Sequence, residues 1–184
     1  MTIQQQVVLL RGINVGRAKR IAMADLRKLL TDLGYTEVRT LLNSGNVVLG
    51  AERVAPAEPA LRIEEALVLK LGVAARATVL DAAQFNAIIA ENSLRALADD
   101  PSKLLVSVLN NPADGARLAP LLGRDWAPEA LAAGSRAAYL WCPAGILASR
   151  AGAALDALLG DAVTSRNWST MSKLHALLNG QGAV

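Results

Sequence analysis

Three polar clusters in this 184-residue chain carry the residue types that bind or transform small molecules. The first is Arg11-Gly12-Ile13-Asn14-Val15-Gly16-Arg17-Ala18-Lys19-Arg20, which follows an apolar run and precedes a helical pattern. At such a junction backbone N–H groups and a helix N-terminus attract anions, by roughly 0.3 to 1 kcal/mol at exposed sites. Arg11, Asn14, Lys19 and Arg20 would add charge and an amide. The segment is not a Walker loop, because no Gly-Lys-Ser/Thr follows. It is not a dinucleotide fingerprint either, because Gly12 and Gly16 are four apart with no third glycine at the required spacing. The plainer reading is a basic connection that uses glycine for positive φ.

The second cluster is Asn43-Ser44-Gly45-Asn46. Asn43, Ser44 and Asn46 offer amides and a hydroxyl to a ligand, yet these are also the residue types that a tight turn requires. The third is Arg166-Asn167-Trp168, expected between the last strand and the last helix, with Ser169 as N-cap and Lys173 one turn inside. A guanidinium matches carboxylate or phosphate, a carboxamide adapts, and an indole gives a flat surface. In the structural alternative Trp168 closes the core and Arg166 pairs with an acid such as Asp161.

Other chemistry has less support. Tyr139 and Trp141 alternate on one strand and share a face; exposed they would stack a base, buried they are core, and the second reading is preferred. His175 is the single histidine and has no partners spaced for catalysis or metal binding. Cys142 is expected as a small buried hydrophobe. Glu64 and Glu65 are adjacent on a helix and do not face each other, which makes a poor two-carboxylate catalyst. No metal site and no cofactor is expected.

Hydrophobic residues make up 53% of the chain and no low-complexity tract interrupts them, so a packed structure is expected. The single cysteine excludes an internal disulfide and suits a reducing compartment. No secretory signal pattern and no long uncharged apolar run is present, giving the expectation of a cytoplasmic protein without membrane spans. Residues 1–40 hold seven cations (Arg11, Arg17, Lys19, Arg20, Arg27, Lys28, Arg39) against three acids (Asp25, Asp32, Glu37). That surplus of four, against a net +3 for the whole chain, places the excess at the N-terminal end. Such a bias attracts phosphometabolites, nucleic acid or acidic partners alike.

The elements that position these clusters follow from hydrophobic spacing. Val7 to Leu10 reads as a buried strand; Met23, Leu26, Leu29, Leu30 and Leu33 form a helical stripe ending at Gly34. Val38 to Leu42 and Val47 to Leu49 read as a hairpin, Ala51 to Pro59 as a loop, and Ile63, Leu67 and Leu71 as a second helix. Ala75 to Val79 is the next strand. Asp81 and Gln84 form a capping-box pattern opening a third helix, with Leu80 and Phe85 as its staple. The segment from Asn92 to Ser102 is the expected boundary. The order then repeats. Leu104 to Leu109 is a strand, and Asn111-Pro112 starts a helix with Leu118, Leu121 and Leu122 on one face. Glu129 to Ala132 and Arg136 to Trp141 form a hairpin. Leu155, Leu158 and Leu159 mark a helix stopped by Gly160, Ala162 to Thr164 is the last strand and Thr170 to Leu178 the last helix. The expectation is an α+β chain of two tandem ferredoxin-like (βαββαβ) halves, 1–95 and 101–184, with antiparallel sheets and helices packed on them.

Arg11-Gly12-Ile13-Asn14-Val15-Gly16, Met23-Ala24-Asp25-Leu26-Arg27, Asn43-Ser44-Gly45-Asn46-Val47-Val48 and Thr164-Ser165-Arg166-Asn167-Trp168 together resemble the bacterial family called domain of unknown function 1697. The resemblance implies an α/β fold of two ferredoxin-like halves and brings no activity, substrate or catalytic residue with it. The chain departs from the family pattern at Arg17, where glycine is expected, and at Ala22, where proline is expected.

The leading functional expectation is a binding module for a small anionic ligand, with phosphorylated compounds among the candidates, held by Arg11, Asn14, Lys19 and Arg20 with Arg166, Asn167 and Lys173. A metal-independent enzyme acting on a phosphorylated substrate is one alternative, weakened by the lack of an acid, base or metal cluster. RNA binding is the other, weakened because the strands Val7 to Leu10 and Val47 to Leu49 carry no aromatic. Oligomeric state is not legible.

Overall fold

The computed structural model describes residues 2–16, 20–52 and 58–181. Among them the chain forms eight strands in two four-stranded antiparallel sheets, and six α-helices. By backbone packing it divides into two compact units. One comprises the residues up to Phe85 with those from Lys173 onward, the other Asn86–Ser172. The sequence places the boundary at 95–101 instead; the division runs through two continuous helices, which carry no turn signal for a reader of sequence to find.

In the first unit the order is β1 (Ile3–Arg11), α1 (Met23–Asp32), β2 (Thr36–Leu41), β3 (Asn46–Glu52), α2 (Pro59–Leu71), β4 (Arg76–Asp81), with the sheet arranged β2-β3-β1-β4. The near-continuous apolar run of β1 belongs to a strand with neighbours on both sides: Val8 lies opposite Val47 of β3 and Val79 of β4. Its alternate residues Val8 and Leu10 face α1 and α2, packing with Leu26, Leu29, Leu30, Ile63 and Leu67. The opposite face, with Val7, Leu9, Val48 and Leu80, is buried as well, so both sides of the sheet are core and the strand reads as apolar throughout. Pro59 at the first turn of α2 and Gly72 in left-handed conformation (φ 66) after it delimit that helix. The expected loop at 51–59 begins later, since β3 runs to Glu52; residues 53–57 lie outside the described residues.

The capping box is present as read: Gln84 N–H donates to Asp81 Oδ1 at 2.7 Å, and Asp81 N–H donates to Gln84 Oε1 at 3.1 Å. It opens α3 (Ala82–Ala90), and both staple residues, Leu80 and Phe85, are fully buried.

The second unit contains β5 (Leu104–Leu109), α4 (Ala119–Leu122), β6 (Ala130–Ala133), β7 (Ala137–Trp141), α5 (Arg150–Leu159) and β8 (Val163–Asn167), with the sheet ordered β6-β7-β5-β8. Helix α6 (Trp168–Leu178) follows directly. Three details differ from expectation. The helix expected after Asn111 is a 3-10 segment, Pro112–Leu118, continued by the single turn of α4; Pro112, Gly115 and Pro120 disfavour a longer α-helix. Asn111 still caps it, accepting from Ala113 N–H at 3.0 Å, but Leu122 is 42% exposed while Leu118 and Leu121 are buried. The last strand extends to Asn167, because β5 is central and residues 165–167 supply partners for its backbone. Consequently α6 begins at Trp168, and its cap is Asn167, whose Oδ1 accepts from Thr170 N–H at 2.9 Å, rather than Ser169. Among the described residues no helix is long and apolar enough to cross a membrane.

Candidate functional site

Within the first unit the segment after β1 and the β2–β3 turn come together at the start of α1. Asn14 does this. Its backbone is left-handed (φ 53), a conformation asparagine tolerates better than most residues. Its Oδ1 accepts from Ile21 N–H at 2.8 Å, and its Nδ2 donates to Ile21 O at 3.3 Å and also to Asn43 O. The carboxamide is thereby engaged by the backbone of Ile21 and Asn43, and Asn14 ties the two segments together.

Gly45 fixes the other side. Leu10 N–H donates to its carbonyl at 2.9 Å, its φ is +78, and an added Cβ would lie 2.6 Å from Leu10 Cβ. Asn46 is fully buried and donates through Nδ2 to Leu41 O and to Ser44 Oγ, both at 3.0 Å. Ser44 and Asn46 thus serve the turn, the plainer of the two readings offered by the sequence.

The result is a cavity of about 460 Å³ lined by Asn14, Arg20, Ile21, Ala22, Met23 and Asn43. Arg20 is exposed, with Nε donating to Gly16 O at 3.4 Å. Ala22 is the N-cap of α1 and supplies no side-chain acceptor to the first turn, which leaves backbone donors and the positive end of the helix dipole directed to this region. Asp25, in that first turn, lines a different groove, between α1 and α2.

The remaining N-terminal cations are dispersed. Arg11 ends β1 opposite Arg76. Arg27 donates to Thr40 Oγ1 at 2.7 Å, and Lys28 pairs with Asp32 at 2.8 Å. Arg17 and Lys19 lie outside the described residues. Of the basic residues named from sequence, the cavity holds Arg20. The signal that sequence reading missed is the role of Asn14: an asparagine flanked by glycines looks like a ligand group, and only the fold shows its amide facing the chain.

The third cluster belongs to β8 and α6. Arg166 stands opposite Val106 of β5, on the sheet face that also carries Tyr139. It donates to Ser165 O at 2.9 Å, and burial lowers its guanidinium to about 10. Asn167 is the helix cap already described. Trp168 is buried, with the Arg95 guanidinium 5.7 Å from its ring centroid. Lys173 is exposed on α6.

The sheet aromatics are core. Tyr139 is fully buried, donates its hydroxyl to Ile88 O at 2.7 Å, and has its pKa raised by burial and the nearby charge of Glu91. Trp141 is 7% exposed, so neither ring offers a stacking platform. Cys142 is buried and its thiol is pushed up, chiefly by desolvation, which suppresses the thiolate that a nucleophile needs. Among the described residues no group of three or more His, Cys, Asp or Glu is placed to hold a metal.

The chain is similar in fold to a solved structure, that of a conserved bacterial protein from Streptococcus pneumoniae. The match has a TM-score of 0.75 at 21% identity and covers 96% of this chain and 99% of that one. No curated protein matches the sequence. Residues 3–139 match the family model described as "Protein of unknown function (DUF1697)", which spans the β1–α1 segment and the β2–β3 turn that build the cavity, and the chain belongs to that family.

Proposed function

We propose that the protein is a binding module for a small anionic ligand, carrying a phosphate or carboxylate, seated in the cavity at the N-terminus of α1. The observation that carries this reading is the convergence of the exposed Arg20, the α1 start without a side-chain cap, and Asn43 on one concavity of about 460 Å³. A guanidinium and uncapped backbone donors are complementary to an oxyanion, and the volume lies in the usual range of small-molecule sites. Among the described residues no carboxylate, imidazole or thiol lines the cavity, which favours binding over acid–base or nucleophilic catalysis. In the same reading each unit is a ferredoxin-like domain, supported by the repeated β-α-β-β-α-β order and the matching strand orders, and the protein works in the cytoplasm.

The test is a thermal-shift panel of inorganic phosphate, phosphorylated metabolites, dicarboxylates and nucleotides on the wild type and Arg20→Ala. A true ligand at a hundredfold its Kd adds about 2.7 kcal/mol to stability, seen in the wild type and absent or much reduced in Arg20→Ala. No saturable stabilisation of the wild type by any anion overturns the proposal.

A further inference from the structure

We infer that the second unit carries a binding site of its own, for a small organic cation with an aliphatic body and a hydrogen-bonding group, such as an amino alcohol. The starting point is one residue. Strand β5 reads Leu-Leu-Val-Ser-Val-Leu, and Ser107 is the lone polar residue in a central strand that is otherwise apolar. Its neighbours across the sheet are Ala138 on β7 and Ser165 on β8. All three are small, and paired residues project to the same face. This is the face on which Ala138, Leu140 and Val163 pack with Leu155 and Leu159 of α5.

Small residues at these positions leave space that branched ones would fill. Between β5, β8 and α5 lies a cavity of about 370 Å³, with Leu105, Val163, Leu155 and Ile146 among its apolar walls. Ser107 and Ser165 line it, their hydroxyl oxygens 2.8 Å apart. Ser107 is fully buried and Ser165 is partly exposed, so Ser165 meets the ligand while Ser107 holds that hydroxyl in place. The bond between them uses one of two hydroxyl protons, so the pair keeps a donor and several lone pairs for a third group.

Charge sets the ligand's sign. Asp156, on α5, also lines the cavity, and among the described residues no Lys, Arg or His does. The third hydroxyl there, Ser149, is already engaged, donating to Glu129 Oε2 at 2.5 Å and accepting from Gly152 N–H at 2.8 Å. An ammonium group answers the exposed carboxylate of Asp156, which has no cation partner among the described residues, hydrocarbon answers the leucine and valine walls, and a hydroxyl or amine answers Ser165. An anion meets the wrong sign here, so this site and the Arg20 cavity select opposite ligands.

The experiment is a titration of the full chain with 4-amino-1-butanol, and with 1,4-butanediol as its neutral counterpart, followed by amide chemical shifts. The expected result is saturable shifts confined to β5, β8 and α5 with the amino alcohol, and binding about tenfold weaker or more for the diol. Asp156→Asn, an isosteric change at an exposed residue of the cavity rim, reduces amine binding by a similar factor without unfolding the protein. Ser165→Val fills the cavity and removes binding of both probes. No saturable shift in the wild type, equal affinity for amine and diol, or amine binding that survives Asp156→Asn would each overturn the inference.

Discussion

Asn14 and Ile21 are joined through both edges of one carboxamide: Ile21 N–H donates to Asn14 Oδ1 at 2.8 Å and Asn14 Nδ2 donates to Ile21 O at 3.3 Å. A side chain thus imitates a strand neighbour and pins the entry to α1 seven residues further along the chain. Replacing Asn14 by Ala loses both of these bonds and the one to Asn43 O, and forces a β-carbon residue with no compensating interaction to keep φ 53. The expected cost is about 2 to 3 kcal/mol in urea denaturation. Asn14→Gly, which removes the bonds but accepts the backbone, should cost about 1 kcal/mol less. Equal losses in the two variants would mean that the left-handed backbone adds nothing.

Gly45 tests the opposite wall. A methyl group there would stand 2.6 Å from Leu10 Cβ and 2.9 Å from Ile13 Cδ1 at φ +78. The end of the Ile13 side chain can turn aside, but Leu10 Cβ is fixed to the backbone of the central strand and cannot. Gly45→Ala should therefore destabilise by about 2 to 4 kcal/mol and weaken anion binding by distorting the cavity. A thermal melt unchanged within a degree would refute the steric argument.

Acid stability should depend on Glu129. Burial alone would push its carboxyl up, but the Ser149 hydroxyl, the Arg150 and Ala151 N–H groups and the Arg150 charge outweigh it, and the net shift is downward. A lowered folded value means that the ionised form stabilises the fold. That contribution is complete above the unfolded glutamate value, about 4.3, and disappears as pH falls through the lower folded value. Glu129→Gln should lose about 1 to 3 kcal/mol at neutral pH and show a flatter stability profile below about pH 4.3. A profile parallel to that of the wild type would assign the acid sensitivity elsewhere.

Glu91 and Tyr139 hold the second unit's hairpin. The Glu91 carboxylate accepts from Ser135 N–H at 2.7 Å and from Ser135 Oγ at 2.9 Å, while Tyr139 Oη donates to Ile88 O at 2.7 Å. Tyr139→Phe leaves a buried carbonyl unpaired and should cost about 1 to 3 kcal/mol. Glu91→Gln keeps one acceptor and should cost less, about 1 kcal/mol. Chemical denaturation of both variants decides the order; a larger loss for Glu91→Gln would reverse it.

The sequence alone determined the local grammar of this protein. Leu104 to Leu109 was legible as a strand because its apolar run is bounded by Pro101 and Asn111, and the Asp81–Gln84 box because its spacing matches one helical turn. The repeated order of elements and the polar character of Asn14 and Arg20 in one cluster and of Asn43 in another were also there to be read, but their meeting on one cavity was not. Tertiary structure decided which way each group faces. Arg166 and Asn167 look like loop residues until β5 demands backbone partners and draws them into β8. Asn14 looks like a ligand group until Ile21 occupies its amide, and Ser107 looks unremarkable until Ser165 arrives beside it from 58 residues away. Periodicity encodes what lies close along the chain, whereas hydrogen-bond partners and cavities are set by segments far apart in sequence, whose meeting no local pattern records.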